Sequence, residues 1–349
     1  MLVLNAGLLL GLAASGIAQN SRHDSANAYL ERGNQWLKKG EIERAIEDYS
    51  FAISFEPTLD YAYYYRGLAR QQKGDHEGAI SDYSRALQLN AHHVDAYLNR
   101  GVLLIRQNNL EAGLRDFNQV IAINPRAARA WLNRGIAYQQ LGKLEVAVTD
   151  FSEAIRLDAR NAGAWAGRGS VHLMRSDLTA ALNDLNQALK LDPRHAASYN
   201  IRGNVWFEKG EMTKALMNFN QALALDSPQA AFWSDRSKVW LVRGDLDRAL
   251  ADVEQALKLD ATFSEAWANR GEIWFAKREL VRARADYDEA IKLNPQLAYA
   301  WCNRGVVHLL LDHLKEAERD CARCRELGGM LKPDTEQLLR EAKARRQQE

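Results

Sequence analysis

ARAWLNRGIAYQQLGKLEVAVTDFSEAIRLDARN, residues 128–161, is the stretch whose reading decides the fold. Number it 1 to 34. Trp131, Gly135 and Tyr138 fall at positions 4, 8 and 11, and Ala147, Phe151 and Ala154 at positions 20, 24 and 27. Steps of three and four place each trio on one face of a helix, so the stretch predicts two amphipathic helices. Gly142, at position 15, sits where a helix end takes a left-handed residue.

The same pattern extends in both directions without an insertion or a deletion. The Arg at position 7 recurs at Arg32, Arg66, Arg100, Arg134, Arg168, Arg202, Arg236, Arg270 and Arg304, every 34 residues, and Gly follows it in all repeats but the seventh, which has Ser237. Position 4 is aromatic in all nine repeats. Position 24 is Tyr or Phe in six: Tyr49, Tyr83, Phe117, Phe151, Phe219 and Tyr287. Pro57, Pro125, Pro193 and Pro295 stand at position 32, where a proline ends the second helix. At these residues the chain resembles the tetratricopeptide repeat family, in which aromatic, Gly, Ala and Pro residues recur at this spacing. The resemblance covers repeats 26–59, 60–93, 94–127, 128–161, 162–195, 196–229, 230–263, 264–297 and 298–331. It implies an all-α fold, a right-handed superhelical solenoid of antiparallel helix hairpins. One hairpin cannot bury its apolar face alone, but a stack can, so the expectation is one continuous array rather than two globular domains. Residues 19–25 are a short linker, and 332–349, opening on Pro333 with Leu338, Leu339 and Ala342 on one side, are a capping helix.

Composition narrows function. With 46 Lys and Arg against 45 Asp and Glu, the net charge of +1 gives no field for bulk nucleic-acid binding, and no nucleic-acid partner is expected. Apolar content of 47% excludes wholesale disorder. Residues 2–18 are uncharged and apolar and end in Gly16-Ile17-Ala18, which reads as a secretory signal peptide over 1–18, although no Lys or Arg precedes the run. The expectation is export to the periplasm or the medium. Anchoring to a membrane through an uncleaved segment, or a cytoplasmic location, is the alternative.

Arg at position 7 departs from the family pattern, which has an apolar residue there. Position 23 carries Asp48, Asp82, Asp116, Asp150, Asp184, Asp252, Asp286 and Asp320, with Asn218 as the exception. In a hairpin turning near position 15 or 16, positions 7 and 23 lie at nearly the same height. An Arg–Asp ladder within or between hairpins follows, and it is favoured over a row of phosphate-binding arginines. The nine Trp, all at position 4 or 11, read as core packing rather than aromatic cages.

No catalytic constellation is present, so no enzyme activity and no cofactor are expected. Gly167-Arg168-Gly169 lies inside a predicted helix and is no dinucleotide loop. His92-His93 reads as a solvated loop pair. Cys302, Cys321 and Cys324 all fall in the ninth repeat near His308 and His313. Cys321 and Cys324 hold the core positions 24 and 27, so small buried thiols are expected there, with no metal or redox role.

What remains is a surface. In the resembled fold, first helices line a concave groove, into which positions 2, 5, 6, 9 and 12 point. Tyr61, Tyr64, Tyr65, Leu68, Leu98 and Leu132 suit a peptide or an amphipathic helix, or else pack between neighbouring repeats. Asn99, Asn133, Asn269 and Asn303, at position 6, resemble the asparagine ladder with which family members hold a peptide backbone. The Lys residues of the family's carboxylate clamp are missing, so an acidic chaperone tail is not the expected partner. Gly163, Ala166, Gly167 and Ser170 predict a wider or more flexible groove in the fifth repeat. The expected function is a non-catalytic protein-interaction scaffold with a protein or peptide partner. A structural spacer, a self-assembling rod or the targeting subunit of an enzyme is the alternative.

Overall fold

Each repeat closes as two antiparallel helices joined by a tight turn. The fourth, for example, runs Ala128–Gln140 and Leu144–Leu157. In the computed structural model, residues 23–225 and 229–348 are described, and they are helical hairpins throughout, with no strand among them. Residues 1–18, expected to be a signal peptide, lie outside the described residues. The first helix is already formed at residue 23, inside the expected linker, and His23 Nδ1 meets the Glu56 carboxylate beyond the end of the repeat's second helix.

Contacts group the chain into two units, Met1–Val171 and His172–Glu349, a division the sequence reading did not anticipate. It falls within the helix Ala162–Met174. In the first unit, each core cluster joins one hairpin to the next. Phe117 and Val120 of the third repeat, for instance, pack with Leu98 and with Ala130 of the fourth. The second unit repeats the scheme, as where Tyr287 and Ala290 of the eighth repeat meet Ala300 and Val307 of the ninth.

The ring at position 24 is the centre of the six hairpins that carry one. Tyr49, Tyr83, Phe117, Phe151 and Phe219 are fully buried, each worth roughly 1.5–3 kcal/mol relative to exposure. The ring packs directly against the glycine at position 8. A Cβ added to Gly101 would sit 2.7 Å from Phe117. Where position 24 is the smaller Val253, position 8 is Ser237. The turn between the helices takes a left-handed residue at position 15 in all nine repeats. It is Gly40, Gly74, Gly142, Gly210 or Gly244 in five, and Asn108, Ser176, Arg278 or Asp312 in four.

The arginines at position 7 form a seam. Arg32, Arg66, Arg100, Arg134, Arg236, Arg270 and Arg304 each donate twice to the position-23 carboxylate sixteen residues on, as Arg134 Nε does to Asp150 at 2.8 Å. Arg202 reaches the amide oxygen of Asn218 at 2.8 Å instead. The remaining expected pair, Arg168 and Asp184, straddles the two units. A further N–H of the same guanidinium crosses to position 25 of the preceding repeat: Arg100 to Ser84 at 2.9 Å, Arg134 to Asn118 at 2.7 Å, Arg304 to Asp288 at 2.7 Å. The guanidinium also stacks on the position-4 ring three residues back, 4.6 Å from the centroid for Arg134 on Trp131. One side chain therefore ties its own two helices together and to the hairpin before.

The tryptophans thus do more than fill a core. Those at position 4 are half-buried under arginine, and Trp131 donates its indole N–H to the Pro125 carbonyl at 2.9 Å. Those at position 11 carry a cation from position 19: Arg44 on Trp36, Lys214 on Trp206, Arg248 on Trp240 and Arg282 on Trp274.

The ninth repeat departs from the expectation of free buried thiols at both Cys321 and Cys324. Cys302 and Cys324 form a disulfide, and only Cys321, buried in the ring position, stays free. Positions 5 and 27 are neighbours across the hairpin, as Leu98 and Val120 are in the third repeat, so two cysteines there fall within bonding reach. Gly329 packs on both sulfurs and leads to the helix Pro333–Gln348. That helix buries Thr335 and Leu339, the latter against Leu314 and Cys321, while Leu338 faces solvent, contrary to the expected apolar side. Steps of four and three from Thr335 to Leu339 and Ala342 define the packed face.

Candidate functional site

The seam consumes positions 4, 7, 8, 23 and 24, so partner contacts must come from elsewhere on the first helices. Of the tyrosines in the second repeat, Tyr61 is the open one, about half exposed. Tyr64 and Tyr65 are half-buried. Tyr65 stacks on Tyr49 with ring centroids 6.0 Å apart, and Tyr64 lies 5.9 Å from Tyr83 and 4.5 Å from His93. Burial, together with Asp95 and Tyr65, pushes the Tyr64 hydroxyl up to about 12, so it remains a donor at neutral pH. His93 is not the solvated residue expected. It is buried, its Nδ1 caps the helix Val94–Arg106 by accepting from the Ala96 N–H at 3.3 Å, and desolvation lowers its pKa.

The four asparagines at position 6 divide into two kinds. Asn99 donates to the Tyr64 hydroxyl at 3.4 Å, and Asn269 to the Ser234 hydroxyl at 2.9 Å. In both cases the acceptor lies 35 residues earlier, at position 5 of the preceding repeat. Asn269 is buried there and offers no amide to a partner, which corrects its assignment to the binding face. Leu98 is corrected in the same way: it is 5% exposed and packs on Phe117 and Val120. Leu68 and Leu132 are half-buried. For Asn133 and Asn303, the residues 35 earlier are Leu98 and Ala268, which cannot accept. These two asparagines instead line cavities.

The first cavity, about 530 Å³ and within the first unit, lies between the first helices of the third and fourth repeats. Val102, Ile105, Phe117 and Ile136 form its walls, and Asn133, Arg106 and Gln140 its polar groups. The Asn133 amide has no partner among the described residues. The second cavity, about 480 Å³, lies in the second unit at the eighth and ninth repeats, where Phe275, Tyr287, Leu297, Tyr299 and Val306 surround Glu272 and Asn303. The Gly329–Lys332 connector forms its lip. Burial raises the Glu272 carboxyl above its ordinary range, against the opposing charges of Lys332 and Lys238. A third, polar recess holds Asp235, which accepts from Asn200 and Asn204 at 2.8 Å each and from Lys238 at 2.7 Å.

Among the described residues, no group of three or more His, Cys, Asp or Glu side chains gathers as a metal site. No described helix is long and apolar enough to cross a membrane.

Stacked hairpins with a variable first-helix face define a helical-repeat protein of the solenoid class. Tetratricopeptide repeat models match residues 33–74 and 69–108, 103–166, and 171–231 and 235–298. The chain belongs to the tetratricopeptide repeat family. No curated protein matches it. Among solved structures, a tetratricopeptide repeat protein from Parabacteroides merdae is 21% identical with a TM-score of 0.63, covering 72% of this chain and 99% of its own. The APC/C hetero-tetramer Cut9–Hcn1 is 15% identical with a TM-score of 0.66, covering 91% of this chain and 76% of its own. The pilF protein of Pseudomonas aeruginosa is 17% identical with a TM-score of 0.54, over 62% and 99%. These likenesses concern the fold. Tetratricopeptide repeat proteins are in general non-catalytic scaffolds that bind protein or peptide partners.

Proposed function

We propose that this chain is a non-catalytic scaffold that captures a peptide or helical segment of a partner protein along its first-helix face. The observation that carries this reading is the cavity between the third and fourth repeats. Its walls are apolar, and Asn133 stands in it with an amide that no described residue engages. An apolar slot with one unsatisfied donor–acceptor pair suits a side chain in the slot and a backbone amide beside it. Capture from host extract tests this, with the full chain as bait beside an Asn133→Ala, Ile136→Glu double variant that keeps its circular dichroism. A partner held by the parent and lost by the variant is the expected result. A partner held equally by both moves the binding surface elsewhere.

We propose further that the protein works in an oxidising compartment after export. The Cys302–Cys324 disulfide supports this, since such bonds persist where thiols are not kept reduced. Intact-mass analysis of protein purified from its host should find an N-terminus at Gln19 and one titratable thiol. A retained Met1 with three titratable thiols would refute export.

A further inference from the structure

The cavity at the eighth and ninth repeats differs from the other grooved surfaces in its electrostatics. Acids near it on the first-helix face are already engaged. Asp235 accepts from two asparagines and Lys238, and Glu265 accepts from the Ser264 hydroxyl at 2.8 Å. Glu272 is the exception. It lines the cavity, and among the described residues its carboxylate has neither a hydrogen-bond nor an ion-pair partner. Lys238 is committed to Asp235, and Lys332, exposed on the lip, forms no ion pair with it. The surroundings of Glu272 are apolar and aromatic: Phe275, Tyr287, Leu297, Tyr299 and Val306.

We infer that this cavity is a socket for a lysine or arginine side chain set in an apolar stretch of a partner polypeptide, with Glu272 as its counter-ion. The inference rests on the scaffold reading and adds the chemistry of the partner. An aliphatic stem matches the Phe275, Leu297 and Val306 walls, and a cationic head matches the carboxylate and the half-buried ring of Tyr299. The chain itself uses this chemistry elsewhere: Arg134, for example, stacks on Trp131 while facing the Asp150 carboxylate. About 480 Å³ accommodates one long side chain and the flanks of its neighbours. Glu272 stands exposed at the mouth of the cavity, and the packing around it raises its carboxyl pKa against the pull of Lys332 and Lys238, so a cation in the socket would favour its ionised form. An acidic or neutral guest would not.

Fluorescence anisotropy with three capped twelve-residue peptides tests the socket. All three carry Leu, Ala and Ser around one central residue, which is Lys, norleucine or Glu. On the full chain, the Lys peptide should bind roughly tenfold more tightly than the norleucine peptide, and the Glu peptide least. Glu272→Gln, an isosteric change, should abolish the preference by bringing the Lys and norleucine peptides to equal affinity. Glu272→Lys should reverse it in favour of the Glu peptide. Equal binding of the Lys and norleucine peptides, a Lys preference that survives Glu272→Gln, or no binding of any of the three overturns the socket. None of these outcomes touches the scaffold reading, which the Asn133 capture experiment decides on a native partner.

Discussion

The arginine seam and the first-helix face run along the same helices, one residue apart, and obey opposite rules. Position 7 is Arg in every repeat, whereas its neighbour at position 6 is Glu31, Tyr65, Asn99, Asn133, Gly167, Ile201, Asp235, Asn269 and Asn303 in turn. The seam residue meets closely similar demands along the stack: a ring beneath it, a carboxylate across the turn in seven repeats, and in most an acceptor in the hairpin before. The neighbour meets a demand that changes with its position in the stack. Repetition thus marks structure here, and variation marks the surface left for recognition.

The sharpest way to break this comparison is to cut one residue from each side of it in the same repeat. Asp150 is 1% exposed, and Arg134 is held against it by two hydrogen bonds. Asp150→Ala leaves a half-buried guanidinium without its counter-ion and should cost about 3 kcal/mol in urea unfolding. Asn133→Ala, one residue away from that arginine, should stay within about 0.5 kcal/mol of the parent, because its amide bonds to none of the described residues. Similar losses for the two would erase the distinction. Within the seam, Asp48→Ala should cost less than Asp150→Ala, since Arg32 is more than half exposed and no described hairpin precedes it.

The sixth repeat offers a milder test in the opposite direction. Arg202 faces Asn218 rather than an aspartate, and burial lowers its pKa where most of its counterparts are raised by their carboxylates. Asn218→Asp should complete the seam and stabilise the protein by about 1 kcal/mol, after losing the Asn218 Nδ2 donation to the Lys214 carbonyl. Unchanged or reduced stability would mean that the amide pair already matches the ion pair at this depth.

Much of the seam could be read from the chain alone. The step of 16 from Arg to Asp sets the pairing, because it places both at one height across a turn near position 15. The pairing of the position-8 glycine with the position-24 ring lay in the pattern but went unread, as did Ser237 opposite the smaller Val253. Cation stacking at position 11 was visible but unread: only the repeats with Trp at 11 carry Arg or Lys at 19. The groove was less legible, since the role of an asparagine depends on a residue 35 positions away. Asn99 and Asn269 follow Tyr64 and Ser234 and turn back to them, whereas Asn133 and Asn303 follow Leu98 and Ala268 and face cavities. The disulfide was obscured by the Cys321-Ala322-Arg323-Cys324 motif, which draws the eye along one helix. The bond forms across the hairpin, between positions 5 and 27.

The turn at position 15 meets the same backbone demand in every repeat, yet its residue is not uniform. That makes it the finest test of the rule that shared constraint brings shared identity. All nine turns need a positive φ, and Arg278 supplies it at 65°. An L residue with a long side chain is disfavoured there, whereas glycine is not. Arg278→Gly should remove that strain and yield a net gain of about 0.5–1 kcal/mol after the added freedom of the unfolded chain is subtracted. Asn108→Gly and Asp312→Gly should gain less, because short polar side chains tolerate the left-handed region by bonding to their own backbone. If Arg278→Gly proves neutral or destabilising, the arginine must make a compensating contact. The turn would then belong with the variable surface rather than with the repeated frame.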